Sequence, residues 1–155
     1  MKTAFALSAV FAAVSSTAIA QAGASPPYLS ASPPAVTAAD TRFDGTWAVN
    51  LDCPTHVDGA FGYVYEFVVQ VKDGRLSGEH GEPGRPGWLL LEGQIRADGS
   101  AALYAKGLTG DSKYSAGHVR KSLPYSYRAT ARFEGSKGSG RRIETRVCTF
   151  SFTRN

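Results

Sequence analysis

The sequence has little of what metal, redox and hydrolytic sites require. It has two cysteines, Cys53 and Cys148, and three histidines, none at zinc-ligand spacing from another histidine or a cysteine. A Gly-x-Ser-x-Gly motif is missing, and the only local grouping of nucleophile and base is Asp111, Ser112 and His118. We therefore expect no metal, no cofactor and no enzymatic activity.

Long apolar and basic runs are also scarce. One apolar run, residues 4–14, follows Lys2 and leads to a small-residue stretch, which predicts a cleavable signal peptide over residues 1–20. No second run follows, so we expect no membrane span, which needs about 20 apolar residues.

Losing Lys2 with the signal peptide lowers the formal net charge from +4 to +3. This small excess does not indicate nucleic-acid binding, and we interpret Arg141-Arg142 as solubilising loop residues.

Beyond the signal peptide the chain falls into two parts. Residues 21–41 are rich in Ala, Ser, Pro and Thr and nearly uncharged, a composition that predicts a flexible tether. Residues 42–155 have the size of one ordinary domain. The predicted signal peptide makes the protein secreted or periplasmic, a setting in which two cysteines usually oxidise to a disulfide.

The domain lacks sustained helical periodicity, and Gly and Asp-Gly pairs interrupt it at short intervals, which predicts an all-β fold. Asp73-Gly74 is the dipeptide of a two-residue type I′ hairpin. We interpret the glycine-rich residues 135–140 as a loop and residues 109–124 as a connection long enough to act as a lid. The predicted strands are 46–53, 61–72, 76–80, 88–95, 101–107 and 125–134, with one strand or a strand pair within 141–154.

The two cysteines also predict the topology. Cys53 lies in the first predicted strand and Cys148 in the last, so a disulfide makes those strands neighbours. We therefore expect a single antiparallel up-and-down β-barrel of about eight strands, closed by that disulfide. If the cysteines oppose each other directly, opposed residue numbers sum to 201 and Trp47 lies opposite Arg154; a diagonal disulfide shifts the pairs by two.

Two short features of this domain resemble a known group. Gly45-Thr46-Trp47, together with Arg154, resembles the Gly-x-Trp and Arg signature of calycin barrels: lipocalins, fatty-acid-binding proteins, avidins and bacterial metalloprotease inhibitors. The resemblance implies that Arg154 packs across the Trp47 indole and closes one end of the barrel. The chain is also similar to small exported bacterial proteins, a likeness that implies no activity.

Tyrosines are frequent on the predicted inward faces. They favour a cavity with an amphipathic lining, because a buried phenol hydroxyl needs a partner and phenylalanine or leucine does not. We predict that a small amphipathic or aromatic ligand binds at the barrel rim. The predicted contacts are Tyr63, Tyr65, Trp88, Tyr125 and Tyr127.

Two other interpretations stay open. A small eight-stranded barrel can be filled by its own side chains and serve as a structural protein without a ligand. Alternatively, the partner is an exported protein: the resemblance to the inhibitor family implies that the tether enters a protease cleft. An empty aromatic-lined cavity favours a ligand, and an ordered tether favours an inhibitor.

Overall fold

The computed structural model describes residues 41–155, so the predicted signal peptide and residues 21–40 of the predicted tether lie outside the described residues. Thr41, assigned above to the tether, begins a 3-10 turn over Thr41–Phe43. No helix in the described part of the chain is long and apolar enough to cross a membrane. The strands are β1 (Gly45–Cys53), β2 (Tyr63–Lys72), β3 (Arg75–His80), β4 (Leu89–Ile95), β5 (Ser100–Leu108), β6 (Pro124–Glu134), β7 (Lys137–Arg142) and β8 (Thr149–Arg154).

The eight strands form a closed antiparallel barrel in chain order. β1 pairs with both β2 and β8, which confirms the predicted closure between the first and last strands. Cys53 and Cys148 form the predicted disulfide with their Cα atoms 4.4 Å apart, the spacing of a directly opposed pair. The opposed register is confirmed by the pairs Trp47↔Arg154, Val49↔Phe152 and Leu51↔Phe150.

The connections divide between two unlike ends of the barrel, because successive strands run in opposite directions. At the closed end lie the tight turns at 73–74, 96–99 and 135–136. Asp73 and Gly74 both take positive φ, as the predicted type I′ turn requires. At the open end lie the longer segments 54–62, 81–88, 109–123 and 143–148.

Trp47 and Arg154 seal the closed end. Trp47 is fully buried and its Nε1 donates to the carbonyl of Phe43 at 2.9 Å. Arg154 places Cζ 4.9 Å from the Trp47 ring centroid, and its Nη2 donates to the carbonyl of Arg42 at 2.6 Å. This is the contact implied by the resemblance, and the architecture is consistent with a calycin-like fold.

Side chains fill the barrel from the closed end upward. The Phe133 ring meets Trp47 edge-on at 5.2 Å and lies 4.9 Å from Phe152, which stacks on Phe150. Burying each such side chain contributes about 1.5–3 kcal/mol to folding. Other fully buried members of this core are Leu51, Leu76, Leu89, Leu91, Ile95 and Val69. Inside the barrel formed by the described residues, the space left for a ligand therefore lies towards the open end.

The prediction that residues 135–140 form a loop is wrong. Glu134 pairs with Lys137, so only Gly135 and Ser136 form the turn and residues 137–142 belong to β7. At Gly138 a Cβ atom would lie 2.8 Å from Cδ1 of the Phe133 ring. The glycines that suggested a break in the chain instead let a strand approach a large core ring.

Candidate functional site

A cavity of about 560 Å³ lies at the open end of the barrel. Its wall consists of the start of β2, the end of β5, the start of β6, the end of β7, residues 109–119 and the β7–β8 connection. This volume is within the range of small-molecule sites, about 300–1,000 Å³.

Three of the predicted contact residues, Tyr63, Tyr65 and Tyr125, line this cavity. β2 carries the first two and β6 the third, and these strands lie on opposite sides of the ring of eight. The Tyr63 and Tyr65 rings are 4.7 Å apart, and Tyr65 also stacks on His80 at 3.9 Å. These three tyrosines therefore form an aromatic wall on two facing sides of the cavity.

The other two predicted contacts are placed differently. Tyr127 is 2% exposed and does not reach the wall, but its ring lies parallel to that of Tyr125 at 6.1 Å. Its hydroxyl is buried with no hydrogen-bond partner. Trp88 is half-buried just before β4 and does not line the cavity. Tyr127 therefore supports the wall, whereas Trp88 is not part of it.

Burial keeps the phenols at this end neutral. It raises the pKa of Tyr65 to about 12, with a smaller contribution from Tyr63. Burial also raises the pKa of Tyr63, Tyr125 and Tyr127, while the positive charge of Arg142 acts in the opposite direction on all three. Near neutral pH these hydroxyls therefore remain available as hydrogen-bond donors.

Sequence reasoning missed two arginines that line the cavity, Arg142 and Arg146. The interpretation of Arg141-Arg142 as solubilising is wrong for Arg142: alternation along β7 exposes Arg141 and turns Arg142 inward. Arg142 places Cζ 4.1 Å from the Tyr127 ring centroid. The signal that could have found it was the period-two pattern Gly138, Gly140, Arg142, hidden by the loop interpretation.

Arg146 lies in the β7–β8 connection and is only 3% exposed. Its Nη1 donates to the carbonyl of Phe61 at 3.1 Å and its Nη2 to that of Ala60 at 3.2 Å. Its Cζ lies 5.6 Å from the Tyr63 ring centroid. No period-two pattern applies to a loop residue, so the sequence carried no signal for its burial.

The segment 109–123, most of the connection predicted to act as a lid, lines one side of the cavity, and Asp58 contacts it. The carboxylate of Asp58 accepts hydrogen bonds from the backbone amides of Gly117 and Ala60, which hold its pKa well below the usual range. The Nδ1 atom of His56 lies 2.8 Å from Oδ1 of the same carboxylate. These contacts join the β1–β2 connection to segment 109–123.

Gly107 explains how Tyr125 fits at the mouth. A Cβ atom there would lie 2.8 Å from the Tyr125 hydroxyl and closer still to the carbonyl oxygen of Trp88. The missing side chain on β5 therefore leaves room for the phenol of the neighbouring strand.

The grouping of Asp111, Ser112 and His118 is divided among other contacts. Asp111 caps a 3-10 turn by accepting from the amide of Lys113, and the His118 ring lies 3.1 Å from the carbonyl oxygen of Asp58. Within residues 41–155 no three His, Cys, Asp or Glu side chains are grouped so as to hold a metal ion.

The fold and the cavity define a class: a small, disulfide-linked, closed antiparallel barrel with a ligand-sized space at its open end. Comparison with protein-family models, with curated proteins and with solved structures found no match to the chain. The class therefore rests on the architecture itself.

Proposed function

We propose that this protein is an exported binding protein that takes a small amphipathic or aromatic molecule into the cavity at the open end of its barrel. The observation that carries the proposal is the cavity of about 560 Å³ lined by Tyr63, Tyr65 and Tyr125. Tyrosine rings offer apolar faces to such a ligand, and their hydroxyls offer hydrogen bonds to its polar atoms.

The position of the cavity supports a binding role over a purely structural one. The core is already closed by Trp47 and Phe133 at the far end, so stability does not require a hollow at the mouth. The half-buried phenols of Tyr63 and Tyr65 are instead left facing that hollow. Buried polar groups usually have partners, and a bound ligand is one source of them.

The proposal includes the cellular setting and the finer fold type. We place the protein in the periplasm or outside the cell, because the disulfide fits an oxidising compartment and residues 1–20 have the pattern of a signal peptide. We also propose a calycin-type barrel, on the strength of the Trp47–Arg154 contact. Mass analysis of the exported protein tests the first point, with Gln21 expected as the new N-terminus.

The binding proposal is tested by fluorescence titration with the neutral aromatic probe N-phenyl-1-naphthylamine. We expect saturable binding to the oxidised protein. Ala116→Trp, which adds an indole at the cavity wall, should abolish it. Ala102→Trp adds the same group on the exposed face of β5 and is the matched control, so it should bind as the unaltered protein does.

Two results oppose the proposal. In the first, binding of the probe does not saturate. In the second, Ala116→Trp and Ala102→Trp bind the probe equally well, which would place the probe elsewhere on the surface. Circular dichroism and urea unfolding must first show that both variants retain the fold.

A further inference from the structure

We propose that the ligand carries an anionic oxygen group, such as a carboxylate or sulfonate, held at the cavity wall by Arg142 and Arg146. This inference rests on the proposed binding function and specifies the chemical class of the ligand. It starts from two cationic side chains that line the cavity and that form no ion pair with a carboxylate of the described residues.

Arg146 is the stronger indication, because it is buried and incompletely bonded. Its guanidinium has five N–H donors, and its two hydrogen bonds go to the neutral carbonyls of Ala60 and Phe61. Its Nε is buried with no partner. Burying a charge without an opposite charge is strongly unfavourable, so buried guanidinium groups normally have an anionic partner.

Arg142, the last residue of β7, has similar surroundings. Its Nε is also buried without a hydrogen-bond partner, and its Cζ lies over the Tyr127 ring. A cation–π contact orients a guanidinium and leaves its N–H edge free to bind an anion. Two guanidinium groups at one cavity suit the planar, bidentate geometry of a carboxylate.

The positive charge of the two arginines at the cavity has no acidic partner in the part of the chain that the structure describes. Among residues 41–155, neither Arg142 nor Arg146 forms an ion pair with a carboxylate. The acidic residue on the cavity wall, Asp111, already has Lys113 at 3.8 Å. Burial raises the pKa of Tyr63 and Tyr125, so those phenols supply neutral donors rather than negative charge.

The test uses two probes that share one ring skeleton and differ by one sulfonate group: neutral N-phenyl-1-naphthylamine and 8-anilino-1-naphthalenesulfonate. If the arginines hold an anionic group, the sulfonate binds at least about tenfold more tightly, as one or two charge-assisted hydrogen bonds imply. A fluorescence titration of each probe gives the ratio of the two dissociation constants.

Three Arg→Gln variants locate the effect. Arg142→Gln and Arg146→Gln should each weaken binding of the sulfonate by about tenfold more than they weaken binding of the neutral probe. Arg141→Gln removes the same charge from the exposed side of β7 and should leave both probes unchanged. If Arg146→Gln does not fold, because it loses its bonds to Ala60 and Phe61, Arg142→Gln decides the question.

The results separate this inference from the function beneath it. If the neutral probe binds but the sulfonate gains nothing, or Arg142→Gln and Arg141→Gln act alike, the anionic class is wrong and the binding function stands. If neither probe binds in the cavity, the proposed function fails and this inference fails with it.

Discussion

At the scale of single residues, Arg154 joins three parts of the closed end. Its guanidinium covers Trp47 at 4.9 Å and donates to the carbonyl of Arg42, so it ties β8 to β1 and to the residues before β1. Its Nε is buried without a partner, which means that the indole face and the carbonyl provide most of its stabilisation.

Removing this side chain should therefore destabilise the barrel. We expect Arg154→Ala to lower the free energy of unfolding by about 1–3 kcal/mol, measured by urea denaturation. The matched control is Arg132→Ala, which removes an arginine from an exposed pair with Glu134 and should cost at most about 1 kcal/mol. Equal losses in the two variants would show that the Trp47 contact adds nothing.

The buried phenols give the protein a limit of stability in alkali. A phenol whose pKa is raised by folding binds its proton more tightly in the folded state. Above the unfolded value of about 10, rising pH therefore favours unfolding. For Tyr65, the stabilising contribution is complete below about pH 10 and is lost as pH rises towards about 12.

We expect the free energy of unfolding, measured in urea at successive pH values, to fall through this window. Tyr65→Phe cannot ionise and should reduce the fall. Tyr104→Phe changes an exposed tyrosine on the outer face and serves as the control. If Tyr65→Phe and the unaltered protein lose stability in parallel, Tyr65 is not among the groups that set the alkaline limit.

At the scale of elements, β7 shows how core packing can require glycine in a strand. Gly138 and Gly140 face inward, where the Phe133 ring and Ala131 leave no room for a side chain. Gly138→Val should cost about 1–3 kcal/mol by overpacking, measured by urea unfolding. Ser139→Val places the same side chain on the exposed face of β7, where it should cost little; an equal loss there would contradict the packing explanation.

β7 also shows which parts of the fold could be predicted from the sequence and which could not. The opposed register of β1 and β8 was predictable because Cys53 and Cys148 supplied a long-range distance and the period of two did the rest. β7 was not predicted, because its glycines indicated a loop, and the packing reason for Gly138 is the Phe133 ring on the paired strand, which shows only once β6 and β7 are known to form a hairpin. Arg146 was missed for a similar reason: its burial comes from the β1–β2 connection, far away along the chain.

At the scale of the whole molecule, the barrel has two unlike ends, a base at the closed end and a mouth at the open end. The base has tight turns and a core sealed by Trp47, whereas the mouth has long connections and the cavity. The disulfide lies at the mouth: Cys53 pairs with Tyr63 across β1 and β2, and the carbonyl of Cys148 accepts from the amide of Arg142 at 2.9 Å. The disulfide therefore holds the backbone beside two cavity-lining residues, Tyr63 and Arg142.

Reduction of this disulfide should affect stability and binding together. The bridge joins residues 95 positions apart, and the chain-entropy model gives it about 4–5 kcal/mol of stabilisation. Urea unfolding with and without a phosphine reductant measures that loss. The slope m should also rise on reduction, because the unfolded chain is no longer cross-linked and exposes more surface.

In buffer where the reduced barrel remains folded, binding of the neutral probe should weaken, because the disulfide no longer holds the backbone beside Tyr63 and Arg142. A large stability loss with unchanged affinity would mean that the bridge stabilises the barrel without shaping its mouth.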